Sequence, residues 1–253
     1  MKITKNGHDI WSVSEWFALA PPKKGQDHWV DGRSAKELAK AWFPTAGVIS
    51  VPEEFSSLVN SSDIIGNVTL CEGEPEAIVR FDPFGGPRNC DLLVHGLCDL
   101  GQIAISVEAK ADEEFGKTIG QRFDAGERCP GSNVPKRISN LTSAMLEMRV
   151  EESRDLRYQL LHGTAAALSI AKKHGAAIAM FIVHEFVTEL TDNAKHKQNA
   201  ADLDRFAGVL SRGRFLHVGA DQLFGPMRVP GNTYIPKSVD LYIGKTLRDT
   251  RIL

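Results

Sequence analysis

Apolar positions along this chain alternate between helical and strand spacing several times. From residue 34 onward they recur at helical spacing. Ser34-Ala35-Lys36-Glu37 has the form of a capping box, with Ser34 at the N-cap and Glu37 at N3. Leu38, Ala39 and Trp42 then share one face of a helix that stops at Pro44. A second short helix starts near Pro52 and carries Phe55, Leu58 and Val59. The period then falls to two. It predicts strands over 66–71 and 76–81, joined by a Glu/Gly/Pro turn, and over 90–96 and 102–111. The breaker Asp82-Pro83-Phe84-Gly85-Gly86-Pro87 separates the second from the third. Helical spacing returns at 112–123, 134–148 and 155–174, the last capped by Gly175 in the left-handed region. A buried strand at 176–184, a helix at 193–210 and short strands at 214–218 and 240–243 complete the reading, with a turn-rich stretch from Gly225.

Antiparallel strands followed by a helical crossover to a further strand predict an α/β protein, a mixed central sheet with helices packed on it. The chain divides into an arm over 1–33, a core over 34–184 and an extension over 185–253, all within a single domain. Trp11, Trp16, Phe17 and Trp29 predict that the arm is ordered and packs on the rest. At 253 residues a chain can bury a core without disulfides or metal.

The net charge of −2 does not fit a dedicated non-specific DNA coat, so any polyanion site would be a local patch. Cys71, Cys90, Cys98 and Cys129 form no CxxC pair and predict free thiols in a reducing cytosol. The most apolar stretch, 175–183, is too short to span a bilayer, and no signal segment is visible. A soluble cytoplasmic protein with no membrane partner is expected. No phosphate-binding glycine loop or dinucleotide fingerprint is present.

The chemistry concentrates in Asp91-Leu92-Leu93-Val94-His95-Gly96 and the run from Gln102 to Lys110. Alternation places Ile103, Ile105, Val107 and Ala109 on one face of a strand and Ser106, Glu108 and Lys110 on the other. A hairpin turning at Cys98 to Asp99 pairs residues whose numbers sum to about 198, setting Asp91 opposite Val107 or, one position over, Glu108. Two facing carboxylates repel unless a cation sits between them. Few hard oxygen donors with water completing the shell suit Mg²⁺ or Mn²⁺. Lys110 would stabilise developing negative charge or hold an attacking water. The plainer alternatives are a solvated strand end for Glu108 and Lys110, a turn cap for Asp91 and the capping box for Glu37.

Asp91 followed after sixteen residues by Glu108-Ala109-Lys110 resembles the active-site signature of the PD-(D/E)XK phosphodiesterase superfamily, which includes restriction endonucleases and recombination or repair nucleases. The resemblance covers the order of elements from about Ser34 to His184. It implies a restriction endonuclease-like αβββαβ core with C-terminal additions. It also implies Glu37, Asp91 and Glu108 as metal ligands, with Asp91, Glu108 and Lys110 as catalytic residues. Gln159, in Tyr158-Gln159-Leu160-Leu161-His162, matches a glutamine that touches the site in several branches. Cys90 rather than proline precedes Asp91, and the portion from about Glu185 has no counterpart.

The activity implied is metal-dependent hydrolysis of DNA, with RNA as the other candidate substrate and a homodimer for cutting both strands. Alanine at Glu108 or Lys110 would then abolish cleavage and leave the fold intact. The competing expectation is a nuclease scaffold kept only for binding, or a docking subunit of a larger assembly. Asp112, Glu113 and Glu114 read as first-turn helix residues, His162 as structural, and Arg80, Arg88, Lys117, Arg122, Arg128, Lys136 and Arg137 as mostly solvated charges.

Overall fold

The computed structural model describes residues 1–86 and 88–252; Pro87, the end of the expected breaker, and Leu253 lie outside the described residues. The chain opens with two short strands, β1 (Lys2–Lys5) and β2 (His8–Asp9), and three helices, α1 (Val13–Leu19), α2 (Ser34–Trp42) and α3 (Glu53–Val59). A meander follows: β3 (Thr69–Val79), β4 (Arg88–Cys98) and β5 (Gly101–Lys110). Helices α4 (Ile119–Glu127), α5 (Val134–Leu146) and α6 (Tyr158–His174) lead to β6 (Ile178–Val187), α7 (Asn193–Leu210), β7 (Gln222–Met227) and β8 (Asp240–Asp249).

The eight strands form one mixed sheet in the order β2-β1-β3-β4-β5-β6-β8-β7. β3, β4 and β5 run antiparallel, whereas β5, β6 and β8 run parallel. Apolar side chains on both faces of β5 and β6 place these strands at the centre, covered on each side as parallel strands are. Ile103, Ile105, Val107, Ile178, Met180 and Ile182 pack with Trp16, Leu38, Trp42 and Phe55 from the first three helices. Ala104, Ala179, Phe181 and Val183 pack with Ile119, Leu141, Leu160 and Phe206 from the last four. The result is an α/β/α arrangement with two hydrophobic cores separated by one sheet.

The closeness of α6 to the sheet rests on Gly163, where an added Cβ would meet Phe181 Cε2 at 2.5 Å and Cζ at 3.0 Å. Overpacking of this kind costs about 1–3 kcal/mol, against roughly 1 kcal/mol that alanine gains over glycine in a helix. Gly163→Ala is therefore expected to lower the urea midpoint without changing the slope of the transition.

The structure revises several sequence expectations. The two strands at 66–71 and 76–81 are one strand, β3. Pro75 is tolerated because β1 pairs only with Glu72 and Gly73, leaving the outer edge of β3 without a partner strand at that residue, where the missing N–H matters least. Residues 112–117 are not helical; α4 starts at Ile119, capped by a box of Thr118 and Gln121. Residues 214–218 form no strand, because the Phe215 and Val218 amides donate to Ser211 Oγ and Asp204 Oδ1 instead of a ladder. The glycine and proline of β7 read as turn residues; a register shift between Phe224 and Met227 accommodates them.

The arm is ordered, as its aromatics imply, and β1 extends the sheet while Trp16 meets Phe43 edge to face. The extension is continuous with the sheet through β8. The capping box at Ser34 does not form. Arg33 is the N-cap of α2, and Ser34 Oγ donates to Glu113.

Candidate active site

The register of β4 on β5 runs from Cys98 opposite Gly101 to Leu92 opposite Val107. Carried one residue further, it sets Asp91 opposite Glu108, the second of the two pairings that the hairpin allows. Asp91 Oδ2 accepts the Ala109 amide at 2.8 Å, which ties the two strands together beyond the ladder. Glu108 has a relative exposure of 1% and Lys110 of 3%, so neither is a solvated strand end. Burial of a carboxylate demands partners, and Glu108 has three. Lys110 Nζ donates to Oε1 at 2.8 Å, Gln159 Nε2 donates to the same oxygen, and Arg88 Nη2 donates to Oε2.

Gln159 reaches the strand because it lies at the start of α6, which packs against β5. Its own carbonyl accepts the Gly116 amide at 3.1 Å. One turn later His162 points the same way, with a ring nitrogen 3.1 Å from Arg88 Nη1 and its ring 4.6 Å from that of Tyr158. Arg88 is thus not a solvated charge: its side chain is 8% exposed, and its Nε is buried with no partner among the described residues.

Electrostatics separate the two acids. Burial and then the neighbouring Glu108 charge push the Asp91 carboxyl up to about 8, against the pull of Lys110. Burial would raise Glu108 as well, but Lys110 and Arg88 outweigh it and hold that carboxyl below its ordinary value. Burial lowers the Lys110 ammonium, and Glu108, Glu113 and Asp91 more than compensate. Burial and the surrounding cations, Arg88 first among them, hold His162 well below the usual imidazole value, so the ring is neutral and can accept from Arg88.

Segment 112–117 closes the side of the site beyond Lys110. Phe115 is fully buried, its ring centroid 5.4 Å from Lys110 Nζ. The segment is pinned by helices from both layers. Asn199 of α7 accepts the Phe115 amide at 3.0 Å and donates to Glu113 O at 2.9 Å, and Lys195 donates to Asp112 O at 3.1 Å. Arg157, next to α6, donates to Gly116 O at 2.8 Å. From the opposite layer, Ser34 reaches Glu113 and Arg33 lies 3.7 Å from Asp112. Those side-chain clamps are why the acidic run is not a first helical turn.

The structure therefore brings Asp91, Glu108, Lys110 and Gln159 together. Glu37 is not joined to them. It sits on α2, against the other face of the sheet, and its Oε1 accepts the Gly32 amide at 2.8 Å and Lys40 Nζ at 2.9 Å. Among the described residues no group of three or more His, Cys, Asp and Glu is placed to cage an ion. A third acid, Glu76, does face the pair electrostatically. It lies between Pro75, opposite Leu92, and Ala77, opposite Cys90, with φ of 46°. Burial raises its carboxyl, and its charge adds to the upward push on Asp91. No sequence signal marks it, because Pro75 beside it and Gly73 three residues before read as a turn.

Asp91 and Glu108 are hard oxygen donors at a point where one of them resists ionisation. That donor set fits a divalent cation resting on two carboxylates with water in its remaining positions, the habit of Mg²⁺ and Mn²⁺. Among the described residues no helix is long and apolar enough to cross a membrane. Comparison with curated proteins and with solved structures finds no match to the chain. A family model described as "Domain of unknown function (DUF6946)" matches residues 10–249, nearly the whole length, and the chain belongs to that family.

Proposed function

We propose that the chain is a divalent-metal-dependent phosphodiesterase acting on DNA, with a restriction endonuclease-like core. The observation that carries this reading is the convergence of Asp91, Glu108, Lys110 and Gln159 from two adjacent strands and the crossover helix. The element order from α2 through the β3–β5 meander and α6 to the parallel β6 is compatible with the αβββαβ core that the signature implies.

Asp91 and Glu108 would hold Mg²⁺ or Mn²⁺; when bound, such an ion supplies Lewis acidity and lowers the pKa of water. The chain's own groups do the rest. Lys110, protonated and desolvated, stands where negative charge on a phosphoryl oxygen can be met at low dielectric. Gln159 orients Glu108 and keeps its Oε1 toward Lys110. Asp91 can take a proton at Oδ1 while Oδ2 stays on the Ala109 amide. RNA is the alternative substrate, and cutting both strands of a duplex would take two copies of the chain.

A second reading, a binding module that keeps the scaffold without catalysis, is favoured by one observation: both oxygens of Glu108 already have donors and the residue is 1% exposed. Plasmid, linear duplex and labelled RNA incubated with Mg²⁺ or Mn²⁺, with a chelator control, separate the two. Metal-dependent cleavage, at least 100-fold weaker in Lys110→Met, is the expected result. Retarded DNA with no cleavage under either metal would overturn it in favour of the binding module.

A further inference from the structure

We infer that Arg88, held in place by His162, is the resident counter-cation of Glu108 and competes with a divalent ion for that carboxylate. The inference rests on the metal-binding reading of Asp91 and Glu108. Its evidence is geometric. Arg88 begins β4, three residues before Asp91, and its guanidinium is folded into the site instead of extending to solvent. Nη2 is spent on Glu108 and Nη1 on the imidazole of His162. The imidazole has no charge to offer, so its role is to accept and to aim the guanidinium.

The seat is imperfect, because the buried Nε has no acceptor among the described residues. A guanidinium normally spends its five donors in a planar fork, and one left dry is a cost that leaving the site would relieve. Glu108 meanwhile carries two cations, Lys110 and Arg88, for one negative charge. A divalent ion entering between Asp91 and Glu108 would raise the local positive charge beyond what the two acids balance. The Lys110 ammonium donates to Glu108 and sits over Phe115. Arg88 is the cation with an unmet donor, so it is the one to yield. Once displaced, it is free to pair with an anion, and by linkage the metal and an anion that captures Arg88 would tighten each other's binding by one common factor.

Titration calorimetry with MnCl₂ on the full chain tests this. Wild type is expected to bind weakly, Arg88→Met at least tenfold tighter, and His162→Asn a few-fold tighter because the hold on Arg88 is loosened. A purely structural role for Arg88 moves the affinity the other way, since loss of order weakens a site. Circular dichroism establishes that each variant is folded, and His162→Asn decides the matter if Arg88→Met is not. Mn²⁺ binding that is lost in Asp91→Asn but unchanged or weaker in the folded Arg88 and His162 variants overturns this inference alone. Absence of Mn²⁺ binding in wild type and both variants overturns the metal reading together with it.

Discussion

Glu108→Ala is expected to destabilise the fold by about 3–5 kcal/mol, the usual cost of removing one partner from a buried ion pair. The carboxylate neutralises two cations that have almost no access to water, Lys110 at 4% and Arg88 at 8% side-chain exposure. Truncation would leave both charges desolvated and would also strand the Gln159 amide. The burial of Glu108 and its partners argues against the expectation that alanine here leaves the fold undisturbed. Chemical denaturation of Glu108→Ala and Glu108→Gln checks the point. The amide retains the shape and one acceptor, so it should lose less than alanine; equal stability of the alanine variant and wild type would contradict the buried network.

Asp91→Asn is expected to act in the opposite direction, stabilising the protein at pH 8 by up to about 5 kcal/mol. The folded carboxyl sits at about 8, above its ordinary value of 3.8. Below pH 4 both states hold the proton and the shift has no effect on stability. As pH rises from about 4 to about 8, the unfolded chain releases the proton while the folded chain retains it, so wild-type stability falls across that window and levels off above it. Asparagine removes the charge and still offers an oxygen to the Ala109 amide. Thermal melts of both proteins from pH 4 to 9 should show a gap that opens with pH. A gap that is constant or closes would mean that Asp91 is ionised throughout. The same substitution is expected to abolish Mn²⁺ binding, stability gained where function is lost.

Much of this site is legible in the amino-acid order because it lies on strands whose alternation is regular. Ser106, Glu108 and Lys110 fall on one face by period alone, and the short turn at 99–100 fixes the register within one residue. Helix α7 is legible to its ends, bounded by Asp192 as N-cap, whose carboxylate accepts two amides. What was hidden is tertiary. Arg88 has the same local surroundings as a solvated arginine, and only the arrival of α6 some seventy residues later puts His162 beside it. The 112–117 segment has helical composition but gives its backbone groups to Asn199, Gln159 and Arg157, side chains that local propensity cannot anticipate. Glu37 shows the converse. Its spacing suits a capping box, yet the helix starts one residue earlier than that pattern requires, and the carboxylate caps the Gly32 amide instead.

The path from Lys110 to Thr118 works as a rivet at the end of β5. Its heads are Ser34 and Arg33 in one layer and Asn199, Lys195 and Arg157 in the other. The two hydrophobic cores, which the strands would otherwise insulate from each other, are thereby tied together by polar contacts. Anything that loosens the amino-terminal helices would be felt at the buried ammonium on the far side.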